Sequence, residues 1–235
     1  MTTTVAAEPF TGFRQEAIQF LADLAANNDR AWFQPRKAEY EELLKRPLAS
    51  LIAALAERFA ARGIPLTADP ARSPFRIYRD TRFSKDKSPY KTNIGASFPW
   101  AGDGSIGQAE RHGAGGYFHL SPGDIFVGGG MWHPEPATLA AFRAAVVADP
   151  AAVHRALDDP GFLGVFGTVN GDRLKRVPAG VPPDHPDAEL LKLKDVVFGR
   201  QLSDEDARSA ALPDIIADSF AAALPVLRLL STLPG

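Results

Sequence analysis

The chain contains no cysteine. This absence excludes disulfide bonds, thiolate metal ligands, cysteine-held iron–sulfur clusters and a cysteine nucleophile. The chain has 235 residues, of which 45% are hydrophobic and 23% charged, so it can bury a core large enough to fold without cross-links. The composition therefore predicts an ordinary globular protein.

A long uninterrupted hydrophobic run is also missing. The most apolar stretch, residues 220–235, is interrupted by Pro225 and Arg228 and is too short to span a bilayer. The opening sequence MTTTVAAEPFTGF lacks the basic and apolar regions of a secretory signal. We therefore expect a soluble, cytoplasmic protein with no membrane partner.

The sequence motifs of several common enzyme classes are absent. The chain has no GxxxxGK[ST], no GxGxxG after a strand, no HExxH and no GxSxG. A histidine metal site would need residues that the fold brings together, because no two histidines lie within four residues of each other; they are at positions 112, 119, 133, 154 and 185. The sequence thus predicts neither a metal nor a cofactor.

Positive charge is concentrated in RSPFRIYRDTRFSKDKSPYK, residues 72–91, which we call the basic segment. Seven of its side chains are Arg or Lys and two are Asp, which gives the segment a net charge of +5. Because the whole chain carries −2, the remaining residues carry −7. Such a focused basic patch favours a local anion site over uniform coating of a polyanion.

Hydrophobic periodicity divides the chain into three regions. Helical spacing predicts about three helices over residues 13–63 and further helices over 136–231. The strand-rich region between them, about 74–132, contains alternating or apolar runs that predict strands at 73–83, 91–100, 115–122 and 124–132. Their short connections favour an antiparallel or mixed sheet of about four or more strands. We expect a single α+β domain, residues 1–235, whose sheet is flanked by N- and C-terminal helices.

Glycine marks three further features. Residues 101–116 predict a flexible loop or hairpin tip, and VNGD at 169–172 predicts a short hairpin. The glycine triplet 128–130 permits positive φ and close backbone approach. A phosphate-binding loop would need a lysine and a helix directly after it, and both are missing. We therefore favour a structural role for the triplet, such as a bulge at the strand end.

The basic segment supplies the groups that bind phosphate or carboxylate. Arginine offers planar bidentate donors, lysine a point charge, and tyrosine a hydroxyl and a stacking face. If residues 73–83 form a strand, Arg79 lies on its more apolar face and needs a carboxylate or a ligand anion as partner. We predict a ligand-binding site, with Arg82 and Lys91 as the principal anion contacts, formed by Arg76, Arg79, Arg82, Lys85, Lys87, Tyr90 and Lys91.

Two residues are weak candidates for acid–base catalysis at such a site. His119 is expected on the polar face of a strand with Tyr117 and Ser121, and Asp80 lies within the basic segment. With them the protein would be a metal-independent hydrolase or transferase. A hydrogen-bonded structural histidine explains His119 more simply, so whether the chain is an enzyme stays open.

Two other interpretations stay open as well. The arginines could pair internally with acids such as Asp80, Asp124 and Asp184, which would make this a structural or interaction protein. Alternatively, the segment's aromatic and cationic side chains could bind nucleic acid. The overall acidity and the missing nucleic-acid motifs make this the weaker alternative. Neither the ligand's identity nor the oligomeric state follows from the sequence.

Residues 75–98, FRIYRDTRFSKDKSPYKTNIGASF, resemble an uncharacterised family of bacterial and fungal proteins, domain of unknown function 2461. Similar stretches follow the family's order at 20–33, 115–136 and 174–194. The resemblance implies a shared fold, with RIYRDTRFSKDKSPYK and GGGMW as signature elements, but no established activity and no catalytic residue. It also implies that many relatives have histidine where this chain has Asn93, so a general base at that position is not carried over.

Overall fold

The computed structural model describes residues 8–82, 84–101 and 113–233. Residues 102–112 of the predicted loop 101–116, and Phe83 of the predicted strand 73–83, lie outside these ranges. Helices occupy both ends of the described chain. Their bounds are α1 Gln15–Ala26, α2 Arg30–Phe33, α3 Lys37–Tyr40, α4 Arg46–Arg62, α5 Pro136–Ala148, α6 Pro150–Leu157, α7 Pro160–Phe166, α8 Ala188–Leu191, α9 Asp204–Arg208 and α10 Leu212–Ser231.

The region from α2 to α4 is one continuous helical stretch where the sequence predicted separate helices. A 3₁₀ turn, Gln34–Arg36, and a π-helical turn, Glu41–Lys45, interrupt the α-helical geometry. Proline lacks an N–H and clashes with the preceding turn; the 3₁₀ turn contains Pro35, and the π-helical turn ends two residues before Pro47. The helix then ends at Gly63 in the left-handed conformation, as its sequence predicts.

Four antiparallel strands form one sheet, which confirms the predicted α+β class. The strands lie in the order β1, β2, β3, β4, and every neighbouring pair is antiparallel. Their bounds are β1 Ile94–Pro99, β2 Gly115–Ser121, β3 Asp124–Met131 and β4 Val196–Gln201.

The two faces of the sheet differ in what covers them. On one face, Phe118 and Leu120 of β2 are buried, and Phe13, just before α1, stacks on Phe118 with ring centres 6.2 Å apart. Phe220 of α10 packs on the same face, so this side joins the main hydrophobic core. Because side chains alternate along a strand, Tyr117 and His119 point to the other side. We call this second side the polar face.

One predicted strand is wrong and one strand was missed. Residues 73–82, the described part of the predicted strand 73–83, do not form a regular strand; they make isolated bridges, including Pro74 with Ala96. The fourth strand is instead β4, some 65 residues after β3, and it lies in a stretch whose sequence is mixed. The predicted VNGD hairpin is wrong too, because Asn170 pairs with Val197 of β4 rather than with a local partner.

The glycine triplet has the structural role that the sequence favoured. A Cβ on Gly128 would lie 2.4 Å from the carbonyl oxygen of Phe198 in β4. At Gly130, where φ is +111°, a Cβ would lie 2.1 Å from the carbonyl oxygen of Val196. The backbones of β3 and β4 therefore approach so closely that side chains at these two positions would clash.

Within the ranges 8–82, 84–101 and 113–233, no individual helix is both long enough and apolar enough to span a bilayer. The helices α5 and α6 meet the length and composition criteria only together, with a bend of 107° between them.

Candidate functional site

The basic segment folds back on itself beside the free edge of β1. Its two arms are joined by main-chain hydrogen bonds from Lys91 to Ile77 (2.7 Å) and from Arg79 to Pro89 (3.0 Å). The first arm also attaches to β1, because the amide of Phe75 donates to the carbonyl of Gly95 at 2.9 Å. The part of the segment between these arms, described for residues 80–82 and 84–88, is therefore a loop held at its base, and it carries much of the segment's charge.

Tyr90 anchors this loop in the core. Its side chain is 1% exposed and stacks on Phe33, with ring centres 4.1 Å apart. The side-chain amide of Asn28 donates to the carbonyl of Tyr90 at 3.0 Å and accepts from its amide at 3.1 Å, while Gln34 donates to the hydroxyl at 3.3 Å. The structure thus places this predicted ligand contact beneath the surface, where it positions the loop.

The two acidic residues of the segment pair with two of its arginines. Arg82 grips Asp80, with Nη2 to Oδ2 at 2.6 Å and Nε to Oδ1 at 3.0 Å. These hydrogen bonds from Arg82 hold the pKa of the Asp80 carboxyl well below its usual range. Asp80 is therefore ionised at neutral pH and has little capacity to act as a general base.

Arg79 has a carboxylate partner, although the strand whose apolar face it was predicted to occupy does not form. Its Nη1 pairs with Oδ2 of Asp86. Hydrogen bonds from Ser88, and then the one from Arg79, lower the pKa of Asp86. This pair closes the loop within the segment, so Arg79 is not left without a counter-charge.

The remaining cations of the segment exceed its acids. Across the described chain, Arg72, Arg76 and Lys85 form no ion pair with any other residue. Lys87 donates to the carbonyl of Thr81 at 2.8 Å, a bond that uses the ammonium without neutralising it. The ammonium of Lys91 lies 4.9 Å from the ring centre of Phe75. Positive charge in excess therefore remains at this surface.

The internal pairing proposed for Asp124 and Asp184 is not observed among the described residues. Asp124 accepts a hydrogen bond from Gln201 at 3.1 Å and lies 3.9 Å from Nε2 of His119. Asp184 is exposed and forms no ion pair with the described arginines. Among the described residues, Asp80 and Asp86, both within the segment, form the ion pairs that neutralise part of its charge.

The predicted acid–base candidate His119 belongs to a hydrogen-bonded chain on the polar face. Ser121 donates to the carbonyl of Asp124 at 3.2 Å, so its hydroxyl oxygen accepts from Nε2 of His119, also at 3.2 Å. With the proton on Nε2, Nδ1 is an acceptor for the Tyr117 hydroxyl at 3.0 Å. This order of donors describes a neutral imidazole.

The pKa shifts around His119 agree with that assignment. Burial lowers the pKa of His119, against a smaller opposing effect of Asp124. Burial also raises the pKa of Tyr117 to about 12, so its hydroxyl keeps its proton. Both imidazole nitrogens have partners, which supports a structural histidine more than a poised base.

Sequence reasoning missed how close the basic segment and the polar face are. Phe75 links them, since its ring lies under Lys91 and 5.8 Å from the ring of Tyr117. Asn93 contributes as well, because its Nδ2 lies 3.4 Å from Nδ1 of His119. The resemblance had drawn attention to Asn93, but nothing in the sequence showed that it adjoins His119.

A metal centre has no basis in the part of the chain that the structure describes. No group of three or more His, Asp or Glu side chains there is arranged to hold an ion. The residues gathered around the basic segment are instead donors of hydrogen bonds and positive charge. Arginine and lysine donors of this kind are the groups that bind phosphate and carboxylate in proteins.

Comparisons with known proteins give one match. No curated protein and no solved structure matches the sequence. A family model matches residues 16–228, which include the whole basic segment, the sheet and most of α10. This match confirms the predicted family: the chain belongs to the family described as Conserved hypothetical protein (DUF2461).

Proposed function

We propose that the protein binds a small phosphate- or carboxylate-bearing ligand at the surface of the basic segment. The observation that carries this proposal is the unequal supply of charge there: two carboxylates meet seven cations. Arg76 and Lys85 have no ion-pair partner among the described residues, so an anion would find donors that no protein carboxylate has already neutralised.

The pair of arginines around Asp80 supports a definite position for the ligand. Arg82 contacts Asp80 directly, and the charge of Arg76 also helps to lower the pKa of that carboxyl. The charges of both arginines therefore act on one carboxylate, on a side chain that is 41% exposed. A phosphate beside Asp80 would share these donors, with Lys85 on the adjoining loop.

The loop is also prepared for binding before a ligand arrives. The Arg79–Asp86 pair, the bonds from Ser88 to Asp86 and the bond from Lys87 to Thr81 all lie within it. Each fixes part of the loop, so binding would cost less conformational entropy than ordering a free segment. Asp86 thus serves to fix the loop, so the presence of a carboxylate in the segment is compatible with an anion site.

A small ligand fits the charge distribution better than a nucleic acid. The rest of the chain carries −7, which opposes a long polyanion but has little effect on a ligand confined to one loop. We propose binding without assigning a reaction. His119 would transfer a proton only if a substrate replaced Tyr117 or Ser121 as its partner.

A ligand screen tests the proposal directly. Purified protein is heated with inorganic phosphate, nucleotides, sugar phosphates or small carboxylates, and hits are titrated by calorimetry. A ligand at one hundred times its dissociation constant adds about 2.7 kcal/mol to the free energy of unfolding. The expected rise in melting temperature is roughly 5–10 °C for a chain of this size.

Charge-removal variants connect a hit to the basic segment. In Arg76→Ala/Lys85→Ala we expect the affinity to fall by about tenfold or more, because two donors are lost. Arg155→Ala/Arg228→Ala, on α6 and α10, removes the same exposed charge elsewhere and should keep the affinity of the parent chain. Equal affinity in both double variants would contradict the assigned site. A steep fall of affinity with salt for oligonucleotides would favour the nucleic-acid alternative.

A further inference from the structure

A cleft lies at the opposite side of the sheet from the basic segment, where the chain leaves β3. Its volume is about 440 Å³. Trp132 and His133 form one side, and the other side is formed by residues near β4. The lining comprises Trp132, His133, Asn170, Gly171, Asp172, Asp195 and Val197. None of these residues belongs to the basic segment.

A buried carboxylate fixes the entrance of this cleft. Asp195 is 5% exposed, and its Oδ1 accepts from the backbone amide of His133 at 2.6 Å. Nδ1 of the same histidine lies 3.5 Å from that oxygen. His133 has φ of +49°, the one positive value among the described non-glycine residues. This conformation is uncommon for a side-chain-bearing residue and is found disproportionately at functional sites.

The opposite wall is held rigidly. Asn170 and Val197 exchange main-chain hydrogen bonds at 2.7 and 2.9 Å, and Lys194 donates to the carbonyl of Asp172 at 2.7 Å. Gly171 between them packs so closely that a Cβ there would lie 2.3 Å from the carbonyl oxygen of Asp195. The cleft is thus a formed feature of the fold, which a ligand would not need to create.

Two groups of the cleft remain available to a ligand. No hydrogen bond from the described residues reaches Oδ2 of Asp195, although the residue is almost fully buried. Trp132 is 63% exposed, the highest value among the large hydrophobic side chains in the described ranges. Its ring centre lies 4.2 Å from that of His133, so the indole is held beside the carboxylate.

The charge of the lining selects the kind of ligand. Asp172 and Asp195 are carboxylates, and none of the described residues that line the cleft is Arg or Lys; the ammonium of Lys194 lies 3.8 Å from Asp172. The two carboxylates would repel a phosphate here. They would attract a cation, which can also interact with the face of the indole. We infer that this cleft binds a small organic cation, an alkylammonium or guanidinium, with N–H groups on Asp195 and its charge over Trp132.

Calorimetric titration of the full chain with agmatine, which carries both an ammonium and a guanidinium, tests this inference. We expect saturable binding of agmatine and none of glucose, a neutral polyol of similar size. Asp195→Asn keeps an oxygen for the amide of His133, so the fold should persist while affinity falls by about tenfold or more. Trp132→Ala, at an exposed side chain, should weaken binding by about three- to tenfold.

Matched controls make the outcome decisive. Asp184→Asn removes an exposed charge elsewhere and should bind agmatine like the parent chain. Arg76→Ala/Lys85→Ala should also keep full affinity, which separates this cleft from the proposed anion site. Absence of agmatine binding, equal affinity in Asp195→Asn, or binding of glucose that ignores Asp195→Asn would each overturn the inference.

Discussion

Two arginine-rich regions of this protein receive their counter-charges in different ways. Between α4 and α10, Arg62 pairs with Asp214 at 2.7 Å and also with Asp218, while Arg58 pairs with Asp214 at 3.3 Å. Those carboxylates come from a helix about 150 residues further along the chain. In the basic segment, the carboxylates lie only two and seven residues from their arginines.

The two regions differ in how many carboxylates are available to their arginines rather than in the strength of single ion pairs. At the helix interface, packing of two distant helices brings acids to the arginines, and the interface is held together partly by charge. In the basic segment no other described element contributes a carboxylate, so two acids serve seven cations. Arginines of the first kind join two helices, whereas those of the second kind lie among cations that outnumber the described carboxylates beside them, which is the basis of the proposed anion site.

The largest expected effect is a loss of stability when Tyr90, the core anchor of the basic segment, is truncated. Tyr90→Ala should lower the free energy of unfolding by about 3–5 kcal/mol, because a buried ring stacked on Phe33 is lost. Tyr90→Phe, which loses only the hydroxyl bonded to Gln34, should cost far less. Urea denaturation of both variants measures this. A loss below about 1 kcal/mol in Tyr90→Ala would show that the loop is not held by its core anchor.

A smaller effect separates the two sets of arginines. Asp214→Ala removes the carboxylate shared by Arg58 and Arg62 and should cost about 1 kcal/mol, since these side chains are only partly buried. Arg76→Ala/Lys85→Ala should change the free energy of unfolding by less than about 0.5 kcal/mol. If the second variant were the more destabilised, the cations of the segment would be structural and the comparison would fail.

Removing a carboxylate from the basic segment should strengthen anion binding there. Asp80→Asn removes the carboxylate that competes for Arg82, so the affinity for phosphate should rise by about two- to fivefold. Asp184→Asn removes an equal charge at an exposed position and serves as control. Calorimetry on the two variants gives the answer, and weaker binding in Asp80→Asn would mean that Asp80 supports the ligand instead of competing with it.

The smallest effects concern pH, where two histidines should act with opposite signs. Burial lowers the pKa of His119 from its ordinary 6.5, so its contribution to stability is present above pH 6.5 and is lost as pH falls through the folded-state pKa. The hydrogen bonds that His154 donates to Asp187 and then to Asp158 raise the pKa of His154, so its contribution is present below pH 6.5 and is lost as pH rises through the folded-state pKa.

Single substitutions separate these two contributions. His119→Gln should flatten the loss of stability on the acid side, and His154→Gln should flatten the loss on the neutral side. Urea denaturation from pH 5 to 8, a range chosen to bracket the ordinary histidine pKa of about 6.5, measures both. Parallel pH profiles for the two variants would contradict the assigned directions.

The sequence predicted those elements whose signals are local. Ser203 caps α9 and Asp29 caps α2 through side-chain bonds, and serine and aspartate are among the residue types preferred at such positions. The strands β1, β2 and β3 follow one another through short connections or a Gly-rich loop, so their pairing needed little information from distant residues. The fold class could therefore be predicted from periodicity and connection length.

Elements that depend on distant partners could not be predicted. The residues of β4 become a strand because they pair with β3, while alternation in 73–83 suggested a strand that the edge of the sheet supports only at isolated bridges. Likewise, Asp195 approaches His133 across 62 residues of sequence, and no motif links the two. The density of positive charge in the sequence indicated the site residues between Arg76 and Lys91, but it did not indicate which residues they contact.

The most direct test of the anion site is an amide NMR titration of labelled protein with inorganic phosphate. If the uneven supply of charge creates a binding site, saturable shifts should be confined to the amides of residues 76–88 and their neighbours on the polar face. The arginines at the α4–α10 interface, already paired, should not respond. Shifts spread over both arginine regions would contradict this prediction. So would the absence of shifts in the basic segment when phosphate reaches the concentrations at which the best anion of the screen saturates the protein.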